Sequence, residues 1–290
     1  MGGFSGSCRQ SFRGQVKAVF SGRSLSLLLL GGVVAGCSSV PLTQSGFLTS
    51  YSHLGPTEGR YEKQRLFVDG PALEKVRTIA IEPAKLSPRA SQAVKEPRNA
   101  MLLSNALDRA LCIDLSDQYQ VVMPGGHADL TVRSMITDVV PTGKVAAGVS
   151  KVATLGTSAV LPVGVPRLPI GLGGLAVEAE AIDGSGVQRA AIIWSRGANS
   201  VTNSPRISDV GDAYALAGSF AGDFADLLMK GRKSPAVDLT LPSWQKVQSK
   251  LGGAPKNAAC DAYGRASGIS GFIGNVVGAP PSWTDKGQKN

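Results

Sequence analysis

The chain predicts an α+β domain: a mixed, mostly antiparallel sheet with two helices packed on one face, preceded by a lipidated N-terminal tether and closed by a C-terminal wrapping tail. Two observations predict the domain itself. Apolar residues alternate with period two in 76–82, 129–140 and 175–197, while two longer runs carry apolar stripes at helical spacing. In order the segments read strand, helix, strand, strand, strand, strand, helix, which suits helices gathered on one face of a sheet.

The first strand, 76–82, alternates and is β-branched, and Pro83 stops it because proline cannot donate to a ladder. Residues 99–113 form an amphipathic helix, with Leu103, Ala106, Leu107, Ala110 and Leu111 on one face and Asn105, Asp108 and Arg109 on another. A short strand at 118–123 follows, then a turn at Pro124-Gly125-Gly126 and a long strand at 129–140. Residues 175–197 read as a hairpin around Asp183-Gly184-Ser185-Gly186. Pairing Asp183 with Gly186 sets Leu175 opposite Trp194, Val177 opposite Ile192 and Ala179 opposite Ala190 on a core face. The other face carries Glu178, Glu180, Arg189, Ala191, Ile193 and Ser195 and is expected to be solvated. Glu180 and Arg189 would form a surface ion pair there, worth about 1 kcal/mol or less. Ser208 or Asp209 caps the last helix, whose buried stripe is Ala213, Ala217, Phe220, Phe224 and Leu227. Beyond Lys230 the composition shifts to Lys, Gly, Pro and Ser, giving a tail with a short helix at 243–251, the Cys260 segment and an apolar turn at 269–277.

The N-terminus carries the most specific local pattern. Arg9, Arg13, Lys17 and Arg23 precede an apolar run from Leu25 to Leu30, and Val34-Ala35-Gly36-Cys37 closes it. A basic segment, a short apolar segment and small residues define a secretory signal. A cysteine directly behind them supplies a thiol that can be diacylated before cleavage between Gly36 and Cys37. The apolar run falls short of the roughly 20 residues that cross a bilayer. The expected organisation is a lipoprotein signal peptide at 1–36, a lipidated tether at 37–70, the α+β domain at 71–232 and the tail at 233–290. Ser38 and Ser39 follow the cysteine, with no aspartate of the kind that retains enteric lipoproteins in the inner membrane, so the expected location is the outer membrane, facing the periplasm. Within the tether, Phe47, Leu48, Tyr51 and Leu54 recur as an apolar patch expected to dock on the domain.

Composition narrows the classes. The chain has 290 residues with 43% hydrophobic and 6% aromatic content, enough for one good core. Losing residues 1–36 removes Arg9, Arg13, Lys17 and Arg23 and no acid, so the formal charge falls from +9 to +5. Those charges are scattered rather than clustered with aromatics, which excludes a nucleic-acid binder. With Cys8 lost and Cys37 acylated, Cys112 and Cys260 remain as an even pair in an oxidising compartment. They form either a disulfide tying the tail to the first long helix or two separate buried thiols.

Three stretches, Ser45-Gly-Phe-Leu-Thr-Ser-Tyr51, Ala128-Asp-Leu-Thr-Val-Arg133 running into Ile136-Thr-Asp138, and Leu175-Ala-Val-Glu-Ala-Glu-Ala-Ile-Asp183, together resemble the bacterial envelope lipoproteins of domain-of-unknown-function family 3313. The resemblance runs from the lipobox to about Lys230 and implies an envelope lipoprotein, with no activity attached. The order of strands and helices is also similar to small α/β domains of periplasmic lipoproteins that activate peptidoglycan synthases or assemble secretion pores, a likeness of fold alone.

Chemistry-bearing patterns are few. Glu178 and Glu180 are two apart on a strand and about 7 Å apart, within the range of glycosidase carboxylate pairs. A general acid needs burial to raise its pKa, whereas an opposing Arg189 would lower it. The histidines His53 and His127 stand alone, so no metal site is implied. Gly171-Leu-Gly173-Gly174 leads into a strand, the wrong context for a dinucleotide loop, and no cofactor is implied. The connection 141–174 carries only Lys144, Lys151 and Arg167 as charges, and is expected either to cover the exposed sheet face or to present a surface to a partner, a second subunit or the lipid interface.

The expected function is therefore a lipid-anchored, non-catalytic binding or scaffolding protein of the cell envelope, meeting the membrane through its N-terminal lipid and either another envelope protein or a second copy of itself. The alternative is an envelope hydrolase acting on glycan or peptidoglycan through Glu178 or Glu180. Anchoring depends on one sulfur and is tested directly. Wild-type protein should fractionate with membranes and incorporate labelled palmitate, because two acyl chains bury enough CH₂ groups, at about 0.8 kcal/mol each, for stable residence. Cys37→Ser should lose the label; label that survives in it would place the mature N-terminus elsewhere.

Overall fold

The computed structural model describes residues 40–123, 125–143, 171–199, 206, 208–232, 243–265 and 279–285. The expected signal peptide, Cys37, most of the 141–174 connection and the expected 269–277 turn lie outside them. The sheet has seven strands: β1 (Glu62–Val68), β2 (Thr78–Ile81), β3 (Lys85–Leu86), β4 (Gln120–Val122), β5 (Leu130–Val140), β6 (Gly174–Asp183) and β7 (Gln188–Gly197). Their order is β1-β7-β6-β5-β2-β4, with β3 also beside β5. The long strands β1, β7, β6 and β5 are antiparallel, and the short β2, β3 and β4 pair in parallel.

Two helices cover one face, α3 (Pro97–Leu115) and α4 (Gly211–Lys230), and their apolar stripes meet the inward side chains of β5, β6 and β7. Trp194 packs edge-on against Phe220 at 5.6 Å, and Phe220 stacks on Phe224 at 6.0 Å. The predicted stripe Ala213, Ala217, Phe220, Phe224 and Leu227 is buried throughout. Shorter helices α1 (Gly70–Leu73) and α2 (Pro88–Ala93) lie in the connections. Two details of α4 and the hairpin differ from expectation. Val210 is the N-cap of α4 and makes no side-chain cap; Ser208 and Asp209 instead accept from its N–H.

The hairpin register is displaced by two residues. Val177 faces Trp194, Ala179 faces Ile192 and Ala181 faces Ala190. A bulge between Ala181 and Ile182 and a wider turn, closed by the Asp183 N–H on the Val187 carbonyl at 3.0 Å, account for the shift. A displacement of two leaves each side chain on its predicted face. It also removes the expected Glu180–Arg189 pair, because Ala191 is now opposite Glu180. Arg189 instead binds Asp69 at 2.8 Å and Asp183 at 2.7 Å.

The strand beside β5 is broken at Glu82-Pro83-Ala84, between β2 and β3. Asp108 of α3 fills the break by accepting the Ala84 N–H on both oxygens at 3.0 Å. Burial pushes the Asp108 carboxyl up to about 7, against that N–H, which lowers it. The expected polar face of α3 is therefore covered: Asp108 is 1% exposed and Arg109 6%. The tail covers it. Arg109 donates to the Tyr263 carbonyl at 3.3 Å, to Asp285 at 2.7 Å and to the Tyr214 hydroxyl at 2.9 Å. Asp285 directly follows α6 (Pro281–Thr284). Asp114, fully buried, receives Lys246 at 3.1 Å and Lys250 at 2.9 Å from α5 (Trp244–Lys250), a helix capped by Ser243. The 3₁₀ helix Ala258–Tyr263 closes the layer, with the Tyr263 hydroxyl on the Ile81 carbonyl at 2.7 Å.

Cys112 and Cys260 form a disulfide, joining α3 to the tail across 148 residues of sequence. A loop this long gives a cross-link its largest effect on the unfolded chain. Replacing both with alanine should lower unfolding free energy by about 2–5 kcal/mol, read by urea titration, and hasten proteolytic release of the tail beyond 243.

Candidate functional site

Period-two alternation sends Glu178 and Glu180 of β6 to the face opposite α3 and α4, beside Ala191 and Ile193 of β7. That face is not solvated. Glu178, Glu180 and Ala191 are 0% exposed, Ser195 1% and Ile193 2%. The covering layer is residues 40–54, an irregular strap in which Leu48 and Leu54 pack on Ala191 and Ile193, flanked by Leu42, Phe47, Tyr51 and Phe67. The apolar patch thus docks as its composition predicts, though as bends and turns rather than a helix.

Two carboxyl groups buried under a strap require hydrogen-bond partners from the protein in place of water. Glu178 accepts the Ser45 N–H on one oxygen at 2.7 Å, and the Ser45 and Tyr51 hydroxyls on the other, each at 2.7 Å. Glu180 accepts the Thr49 N–H at 2.9 Å, the Thr49 hydroxyl at 3.2 Å and the Gln188 amide at 2.7 Å. It also carries the ion pair with Arg133 of β5, its neighbour across the sheet. The Arg133 guanidinium in turn lies 5.7 Å from the centre of the Phe47 ring. Burial first, and the Glu178 carboxylate second, push the Tyr51 phenol up, so it remains a proton donor to that carboxylate.

The strap enters beside the first residue of β6. The Ser195 hydroxyl donates to the Val40 carbonyl at 3.2 Å, and a Cβ at Gly174 would overlap the Val40 side chain. At Gly173 a Cβ would meet Thr142 Oγ1 at 2.7 Å and Asp212 Cβ at 2.9 Å. These glycines answer to close packing and not to a phosphate. From Val40 the strap descends along β6 past Glu178 to Glu180, then returns through Gly55, whose N–H meets the Leu66 carbonyl at 3.0 Å. The chain then enters β1, so the last part of the expected tether is an edge strand of the sheet. Its charged first half, Glu62-Lys-Gln-Arg65, hides the strand from an alternation test.

The remaining candidates do not join this site. Arg189 is at the far end of the hairpin, where an open depression of about 720 Å³ is lined by Lys75, Asp129, Asp183 and Ser185 among others. Its acids are engaged: Asp183 is held well below the usual carboxylate range, chiefly by the Ser185 hydroxyl and the Val187 N–H, and Asp129 accepts the N–H groups of Arg77 and Thr78. His53 packs against Phe67 at 5.0 Å, and His127 is exposed in a turn. Among the described residues no cluster of His, Cys, Asp and Glu could hold a metal ion, and no helix is long and apolar enough to cross a membrane. Sequence reasoning found the two glutamates but missed their donors Ser45, Thr49, Tyr51, Arg133 and Gln188. A signal existed, since four of those five lie in the same three short stretches as the family resemblance or directly beside them: Ser45, Thr49 and Tyr51 in one, Arg133 in another.

A family model described as "Protein of unknown function (DUF3313)" matches residues 43–224, which begin inside the strap and end within α4. No curated protein matches the chain. Two solved structures of a PelC dodecamer from Paraburkholderia phytofirmans are similar. One shares 12% identity at a TM-score of 0.36, over 59% of this chain and 99% of that one. The other shares 13% at 0.34, over 56% and 95%. At these scores the likeness carries no functional information.

The site predicts an ordered series of stabilities. Glu180→Ala would strand Arg133, Gln188 and the Thr49 N–H, and should lower unfolding free energy by about 2–4 kcal/mol, the guanidinium being partly wet. Glu180→Gln keeps an acceptor and should lose about half as much. Urea titration gives the order, and faster protease cleavage within 40–54 should accompany it.

Proposed function

We propose, from the premise that this chain belongs to the DUF3313 family of proteins of unknown function, that it is a lipid-anchored, non-catalytic binding or scaffolding protein of the cell envelope. One observation carries the reading. Glu178 and Glu180, the carboxylate pair on which the hydrolase alternative depends, are spent on holding the segment that starts three residues after the lipobox cysteine. Every oxygen of Glu178 and Glu180 has a protein donor, and neither residue reaches solvent, so no substrate can approach them without displacing the strap. A sheet face given over to an anchor segment suits a protein whose position matters more than its turnover. Acylation at Cys37, with Ser38 and Ser39 behind it, favours the outer membrane, facing the periplasm. The partner class is another envelope protein or a second copy of the chain.

The test sets this reading against the hydrolase alternative. Crosslinking in intact cells should yield a discrete adduct with an envelope component or with the chain itself. Purified protein should leave peptidoglycan sacculi undigested. Digestion that is lost in Glu178→Gln while the fold is retained would overturn the non-catalytic reading in favour of the hydrolase.

A further inference from the structure

The path of the strap determines which end of the molecule can meet a membrane. Val40 is 3% exposed and lies over Gly174 and Ser195, at the end of the sheet where β6 starts and β7 finishes. Ser38 and Ser39 alone separate Val40 from Cys37, and the three extended steps between them span at most about 11 Å. The hairpin turn at the opposite end is nine residues further along β6, about 30 Å away. Cys37 therefore cannot reach that end, and from Val40 onward the strap runs along β6 past Glu178 to Glu180. The described part of the expected tether over 37–70 is fixed to the sheet, because Ser45, Thr49 and Tyr51 are bonded to buried carboxylates.

The geometry points to a bilayer-facing end of this protein, formed by Pro141, Gly143, Gly171 and Gly197, held at the lipid surface by the strap in one fixed orientation. This rests on the acylation of Cys37 proposed above. The named rim residues carry no charge. In this arrangement the edge of the depression lined by Lys75 and Asp129 faces away from the membrane.

Fluorescence quenching reads the orientation. Pro141 and Ser185 are both exposed, one at each end of the sheet, and each can be replaced by a labelled cysteine in the full acylated chain without disturbing the disulfide. In vesicles of phosphatidylethanolamine and phosphatidylglycerol bearing a headgroup nitroxide, the Pro141→Cys label should be quenched several-fold more than the Ser185→Cys label. A flexible Gly-Ser spacer of about 15 residues inserted between Ser39 and Val40 should keep the protein on the vesicles and erase that contrast. Equal quenching of the two labels on vesicle-bound protein, or a contrast unchanged by the spacer, would overturn the fixed orientation alone. Protein that carries no acyl chain and does not bind the vesicles would overturn the anchoring reading, and the orientation with it.

Discussion

Two carboxylates on the outer face of β6 constrain much of what surrounds them. An ionised glutamate can be buried only if protein donors replace its water, and Glu178 and Glu180 lie two residues apart with no solvent access. The strap supplies donors from Ser45, Thr49 and Tyr51, and the sheet supplies Arg133 and Gln188. This couples segments more than 120 residues apart in sequence, as the Tyr51–Glu178 bond illustrates. Leu48 and Leu54 add apolar burial over Ala191 and Ile193, but it is the carboxylates that specify where along β6 the strap must lie. A strap shifted by one residue would present the wrong backbone N–H to each of them.

The same logic recurs on the other side of the molecule. Helix α3 has an apolar stripe toward the sheet and a charged side that would be left to water in a two-layer fold. Here Asp108 turns inward to cap the break in the chain at Ala84, between β2 and β3, and Arg109 and Asp114 are met by Asp285, Lys246 and Lys250 from the tail. The disulfide between Cys112 and Cys260 secures that layer at the middle of the tail. The sheet and its two helices are thus enclosed between an N-terminal strap and a C-terminal tail, each attached through buried charge. Sequence segments that look like linkers by composition act as the outer layers of the fold.

This arrangement changes what the glutamate pair means. Two carboxylates about 7 Å apart on one strand fit a hydrolase or a structural clamp equally well until their surroundings are known. A hydrolase needs a cleft and at least one acid free to give up a proton to substrate. Instead the pair is roofed by the chain's own backbone, and the donors arrive as N–H and hydroxyl groups that leave no oxygen open. Meanwhile Gly173 and Gly174, which could suggest a phosphate loop, are small because Thr142, Asp212 and Val40 press on them.

Local periodicity was enough to place α3, α4, β2, β4, β5 and the β6–β7 hairpin, and to assign Trp194, Val177 and Ala179 to the core face, because each signal is carried by residues within a turn or two of one another. The pattern around Cys37, on which the proposed anchoring rests, is local in the same way. Strand β1 escaped notice because an edge strand, paired on one side only, tolerates Glu62, Lys63 and Arg65 in place of clean alternation. The register of the hairpin depended on a bulge and a wider turn that together shift pairing by two and leave the facing of the paired core residues unchanged, so burial pattern alone could not detect it. What only the tertiary structure decided was which surfaces are covered, and by what. A strand's alternation reports that two faces differ, but whether the polar face meets water or a strap from far along the chain depends on long-range donors that no short window of sequence contains.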